Sequence, residues 1–289
     1  MEPEIAYEIV GDADLNGGIL VIALDGWIDA GMGAATAMAA LMGSTSASSA
    51  VVFSDDPIID HRARRPLVEL VDGETRGLKW PTVELMVGHD REGRKLGMLV
   101  GPEPDLFWRP FGRTVADLAR KVGAGRSVGL GAFPAATPHT RPVRVAATSP
   151  VAEVARGIGV VPGSMEVPAG LGSVLELELN QAGIPSLSLW ARVPHYVAAM
   201  PYPGASAALL DMLSTVTGLA LDSSPLHTAA DATNQKVNEL ILPSEEHREM
   251  VSHLEMHLDA AEGNPLDVTE LPSGDQLAAE LERFLRGDS

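Results

Sequence analysis

Runs of continuous apolar residues alternate along the chain with stretches of helical spacing. Ile19 to Leu24 (I-L-V-I-A-L) is apolar at every position, as expected of a strand covered on both faces. The turn Asp25-Gly26-Trp27-Ile28-Asp29-Ala30-Gly31 follows, and Gly33 to Met42 is then small, Ala-rich and helix-favouring, with Gly43 as a stop. Ser49 to Phe53 reads as the next strand, and a right-handed crossover is the default for such a unit. Glu4 to Val10 alternates imperfectly, which predicts an edge strand.

Asp55 to Pro66 is polar and reads as a loop. From Leu67 to Val100 short apolar runs (V-E-L-V, T-V-E-L-M-V, L-G-M-L-V) are separated by Asp72-Gly73 and by Asp90 to Gly93, which predicts an antiparallel insertion near 67–100 or an extension of the sheet. Arg113 to Val122 has helical spacing. Ser127 to Phe133 and Ser186 to Val193 are predicted strands, each running into Pro-His at Pro138-His139 and Pro194-His195. Val143 to Ala147 is a further strand, and Ser173 is the expected cap of a helix to Gln181. Helix Gly204 to Val216 closes this alternation, which gives an α/β class. Near Leu221 the composition turns to charged amphipathic helices at Ala229 to Leu242, Ser244 to Ala261 and Gly274 to Arg286. The expected organisation is a core domain at 1–220 and a C-terminal helical appendage at 221–289.

Composition narrows the partners. The formal net charge is −18 and the isoelectric point about 4.7. Nucleic acid and anionic membrane surfaces need clustered Lys and Arg, so neither is an expected partner, and the local basic run His61 to Arg65 does not outweigh the field of the whole. The absence of cysteine excludes disulfides and thiolate chemistry and suits a reducing compartment. Neither a signal peptide nor a membrane span is visible, so a cytoplasmic protein is expected.

Candidate chemistry gathers in three loops that follow predicted strands: Asp25 to Gly31, Pro134 to Pro142, and Pro194 to Pro201. In an open parallel sheet ligands sit beyond the carboxyl ends of the strands. The candidate cleft residues are therefore Asp25, Trp27, Asp29, His139, Thr140, Arg141, His195 and Tyr196. Carboxylates beside imidazoles suit general acid–base work, and Arg141 could hold an anion. The competing reading is structural: Pro-His turns that brace the backbone, and Asp29 as a helix cap. His253 and His257, four apart with Asp259 nearby, read as a solvated helix face, so no metal site is expected, and no cofactor. Gly129-x-Gly131 is not a dinucleotide fingerprint, and neither a phosphate loop nor a nucleophile elbow is present.

Four strings carry a resemblance: D-G-W-I-D-A-G (Asp25 to Gly31), A-F-P-A-A-T-P-H-T-R-P (Ala132 to Pro142), L-W-A-R-V-P-H-Y (Leu189 to Tyr196) and L-P-S-G-D-Q-L-A-A-E-L-E-R-F-L-R (Leu271 to Arg286). Together they resemble the proteasome assembly chaperone 2 family, in its bacterial branch. The resemblance implies a three-layer α/β/α sandwich similar to nucleoside phosphorylase and hydrolase-like folds, and a homo-oligomer. Eukaryotic members help to arrange proteasome α-subunits, and no catalytic residue carries over. Chaperones of the family can engage a proteasome ring through a hydrophobic-Tyr-any tail, whereas this chain ends Arg286-Gly287-Asp288-Ser289, so docking of that sort is not expected. Two functional readings follow: a protein-binding, assembly-chaperone-like protein, or a phosphorylase- or hydrolase-like enzyme acting on a small nucleoside or anionic ligand. The apolar stretches Met32 to Met42 and Val197 to Leu213 further suggest a helix lying under a subunit contact.

Overall fold

The computed structural model describes residues 5–26 and 28–263. Its strands are β1 (Tyr7–Ile9), β2 (Ile19–Ile22), β3 (Ser48–Phe53), β4 (Leu67–Val71), β5 (Glu74–Lys79), β6 (Glu84–His89), β7 (Lys95–Val100), β8 (Arg126–Ala135), β9 (Val145–Thr148) and β10 (Ser186–Pro194). The helices are α1 (Gly33–Ser44), α2 (Trp108–Lys121), α3 (Ala152–Ile158), α4 (Leu171–Gln181), α5 (Pro203–Thr217), α6 (Ser224–Ile241) and α7 (Glu245–Gly263). Eight strands form one mixed sheet in the order β1-β3-β6-β7-β2-β8-β10-β9. Its centre, β7-β2-β8-β10, is parallel, and antiparallel pairs continue it to both edges.

The period-two geometry of a strand sends successive side chains to opposite faces, and the large sheet uses both. On β2, Val21 enters one apolar cluster with Met98, Leu130 and Leu189, beneath α1 and α5. Leu20 and Ile22 enter the other, with Phe111, Leu118, Leu175 and Leu179 of α2 and α4. The continuous apolar run in the sequence is therefore two stripes. Small residues in α1 let it sit close: a Cβ on Gly33 would stand 2.9 Å from the Cβ of Ala132 and 3.1 Å from that of Ala205. The buried residues of α1 and α5 face the sheet and each other within this chain, and α6 packs on α5.

Several elements differ from expectation for tertiary reasons. Ser173 does not cap α4; the helix starts at Leu171, whose N–H donates to the carboxylate of Glu103 from the β7–α2 connection. Helix α2 begins at Trp108 rather than Arg113, and α6 at Ser224 rather than Ala229. The stretch 67–100 divides between the two expected forms: β6 and β7 extend the main sheet, whereas β4 and β5 form a separate two-stranded ribbon. The ribbon turns at Asp72-Gly73, both with positive φ (50° and 85°), the geometry of a type I′ hairpin. Strand β5 itself escaped the sequence pattern because Glu-Thr-Arg-Gly-Leu-Lys has no buried face to impose alternation. The predicted helix Gly274 to Arg286 lies outside the described residues.

Candidate functional site

The three candidate loops share one end of the sheet, because β2, β8 and β10 are adjacent and parallel and each runs into one of them. Backbone bonds join them. The N–H of Gly31 donates to Ala198 O (2.7 Å), and the N–H of Tyr202 donates to Gly31 O (2.8 Å). Asp29 makes a parallel bridge to Ala132 of β8.

What the side chains do there is mostly structural. Asp29 accepts from the N–H of Ala34 at Oδ1 (2.8 Å) and of Ala35 at Oδ2 (2.9 Å), so both oxygens hold the start of α1. Burial pushes its carboxyl up, and those amides pull it down. Asp25 is exposed, and its backbone pairs with Gly101 O and Glu103 N. Partial burial raises its carboxyl, and the charge of Arg64 opposes that. Trp27 lies outside the described residues.

The Pro-His-Thr-Arg loop after β8 turns toward α6 and α7. The main-chain N–H of His139 donates to Tyr196 Oη (2.8 Å), which leaves the phenol proton free to donate to His139 Nδ1 (2.7 Å). Asn238 Oδ1 on α6 can only accept, which places the proton on Nε2 as its donor (2.9 Å) and leaves Nδ1 to accept from the phenol. His139 is 2% exposed and has every polar ring atom engaged. Burial raises the Tyr196 phenol well above its ordinary range, so the hydroxyl stays protonated and the relay of donors is stable. Thr140 Oγ1 donates to Glu255 of α7. Arg141 donates from Nε and Nη2 to the two oxygens of Asp259 (3.0 and 2.8 Å) and from Nη1 to Glu255 (3.1 Å), a fork that matches a carboxylate. Three consecutive residues thus fasten two helices to the sheet end.

His195 differs. It is half-buried, its ring stands T-shaped to that of Tyr196 (5.3 Å between centroids, against 5.8 Å for His139), and its buried Nδ1 has no hydrogen-bond partner among the described residues. The two histidines therefore meet through Tyr196. A cavity of about 430 Å³ opens beside His139, lined also by Asn238, Leu242, Val251 and Glu255 among others, and His195 does not reach it. His139 is its sole contributor from the predicted set, so the carboxylates of Asp25 and Asp29 do not share it. On α7, His253 and His257 are exposed with Nε2 atoms 3.1 Å apart, while Asp259 turns to Arg141. The residues that sequence reasoning missed are Asn238 and Glu255; the only sequence sign was the i, i+4 carboxylate pair Glu255 and Asp259, which shares a helix face.

A sequence profile of the PAC2 family matches residues 23–241, which takes in all three loops. The chain belongs to the PAC2 family. A proteasome-assembly chaperone homologue from Mycobacterium tuberculosis is 35% identical over 81% of this chain and 99% of its own, with a TM-score of 0.75. A PAC2 family protein from Streptomyces avermitilis is 32% identical over 81% of this chain and 99% of its own, with a TM-score of 0.71. A protein of unknown function from Corynebacterium glutamicum is 31% identical over 89% of this chain and 98% of its own, with a TM-score of 0.80. No curated protein matches the chain. Among the described residues, no helix is long and apolar enough to cross a membrane. The mixed sheet flanked by helices is the fold that this PAC2 protein shares with those relatives.

Proposed function

We propose that this PAC2 protein is assembly-chaperone-like: a cytoplasmic protein that acts by binding other proteins, with an α/β body (residues 1–220) that carries a helical appendage (residues 221–289). The observation that carries this reading is the use made of the polar side chains of the Pro-His loop, where His139, Thr140 and Arg141 are all committed to fastening α6 and α7. An enzyme would need those groups turned toward a substrate with Asp25 or Asp29 beside them, and they are not so arranged. The Mycobacterium tuberculosis homologue, described as a proteasome-assembly chaperone homologue, supports the same class of activity for this chain. Exposed apolar residues on the β4–β5 ribbon support a protein-contact role as well: Leu67, Leu70 and Leu78 are 69%, 60% and 53% exposed. An isolated two-stranded ribbon is marginal in water and gains from being covered. Assembly with copies of itself is part of the proposal, as is a client protein.

Cross-linking of the full chain in native lysate, followed by purification and mass spectrometry, tests the client. Recovery of a defined set of partner subunits at fixed stoichiometry is expected, and recovery of the protein alone would count against the chaperone role. Light scattering tests self-assembly: a mass above the 30.4 kDa of one chain is expected, and a dilution-independent 30.4 kDa would refute it.

A further inference from the structure

The loop between β3 and β4 holds a second cluster that the proposed function does not use. It follows β3, which runs parallel to β7 through two antiparallel pairings, so it lies at the same end of the sheet as the candidate loops. Asp55, Asp56 and His61 each bring one ligating atom, and those atoms all lie within 4.8 Å of one another. The scaffold beneath them is rigid. Ile58 and Ile59 are buried at 0% and 3% exposure, their N–H groups donate to Asp55 O, and Ile58 O accepts from Asp105 and Leu106. Asp105 in turn accepts from the N–H of Asp60 and from Arg64 Nε, which pins the far side of the loop.

The distances within the cluster decide its chemistry. His61 Nε2 lies 3.4 Å from Asp56 Oδ1 and 3.7 Å from Asp55 Oδ2. Hydrogen bonds of this kind are about 2.7–3.2 Å long, so these contacts are too long to be good ones. Both ring nitrogens of His61 are indeed buried with no hydrogen-bond partner among the described residues. By contrast, ligands held at about 2.0–2.2 Å from one tetrahedral ion stand roughly 3.3–3.6 Å from each other. The gap to Asp56 falls in that range and the gap to Asp55 lies just beyond it, so the imidazole edge faces two carboxylates at about the spacing of a shared cation. Trp80 packs T-shaped on the His61 ring at 4.8 Å and shields it from water on that side.

We propose that Asp55, Asp56 and His61 bind one divalent cation of the zinc type. Two carboxylate oxygens and one imidazole nitrogen form a mixed hard and borderline set that favours Zn²⁺ over Mg²⁺ or Ca²⁺. With three protein ligands, the remaining position goes to water. Bound metal ties the loop to the base of the ribbon through the His61–Trp80 contact, and the site is independent of the assembly role.

Calorimetric titration of the full chain with ZnCl₂ after removal of metal by chelator tests the site. The exposed His253–His257 pair would be a competing chelator, so the titration uses a His253→Ala/His257→Ala background. One equivalent of Zn²⁺ is expected to bind there, with affinity lowered at least about tenfold by His61→Ala and by Asp56→Asn. Asp56 is exposed, so its substitution leaves the fold intact and decides the matter even where His61→Ala fails to fold. Absence of binding up to about 1 mM Zn²⁺, or unchanged affinity in Asp56→Asn, overturns the proposal.

Discussion

Nε2 of His139 donates to Oδ1 of Asn238 across a separation of 99 residues, and this one bond links the loop after β8 to helix α6. Its other end is Tyr196, which supplies the third element of the same network from the β10 loop. Replacing His139 by Ala leaves the Tyr196 hydroxyl without its acceptor and Asn238 without its donor. A loss of about 1–3 kcal/mol in urea or guanidinium unfolding is expected. His195→Ala removes a ring whose Nδ1 already lacks a partner, so a change within about 0.5 kcal/mol is expected from the same measurement. Equal destabilisation of the two variants would remove the distinction drawn between them.

The Arg141 fork on Asp259 and Glu255 lies partly in solvent, so its effect should be local rather than global. Arg141→Ala is expected to raise amide hydrogen exchange in α7 while leaving the central strands protected. Added salt should produce a weaker version of the same change, since exposed ion pairs are screened. Uniform loss of protection across the sheet would show instead that Arg141 supports the whole fold.

Asp90 is a buried carboxylate with four donors: the N–H groups of Glu92, Arg94 and Ala220 and Nε of Arg94. Burial pushes its carboxyl up, but these bonds outweigh it and hold the group down to about 2, against 3.8 for a free side chain. A depressed folded value means that the unfolded chain takes up the proton first as the solution is acidified. The stabilisation is therefore complete above about pH 4 and is lost as pH falls toward about 2. Asp90→Asn should flatten that acid limb of the stability profile, measured by thermal unfolding between those values. It should also loosen the joint between the β6–β7 turn and the segment that leads from α5 to α6.

Gly31 has φ 64°, and a Cβ there would stand 2.7 Å from the Cβ of Tyr202, which is itself buried. Gly31→Ala therefore meets two obstacles, a left-handed backbone and a side chain that cannot move away. The expected cost is about 2 kcal/mol or more in chemical unfolding. Gly73→Ala, with φ 85° but nothing within 4 Å, meets only the first, and should cost less.

The pattern of apolar runs and helical spacing carried most of the α/β architecture, because burial on two faces of a sheet demands continuous apolar strands whatever their partners. β2, β8 and β10 are of this kind. The prolines also marked the loops after β8 and β10, although β8 runs through Pro134, paired with Val193, and ends at Ala135 rather than at the first proline. Which groups those loops meet was not legible. The bonds of His139 to Asn238 and of Arg141 to Asp259 join residues 99 and 118 apart, and only the packing of α6 and α7 against the sheet end brings them together. The same is true of helix starts held from elsewhere: the Asp29 cap was readable because it is local, whereas Glu103 reaches α4 through space. The ribbon strand β5 was invisible for the opposite reason, having no burial to shape its sequence. Local backbone preference and one-dimensional burial are thus written along this chain, while the partners of its polar side chains are set by tertiary packing, which brings together groups that no spacing rule connects.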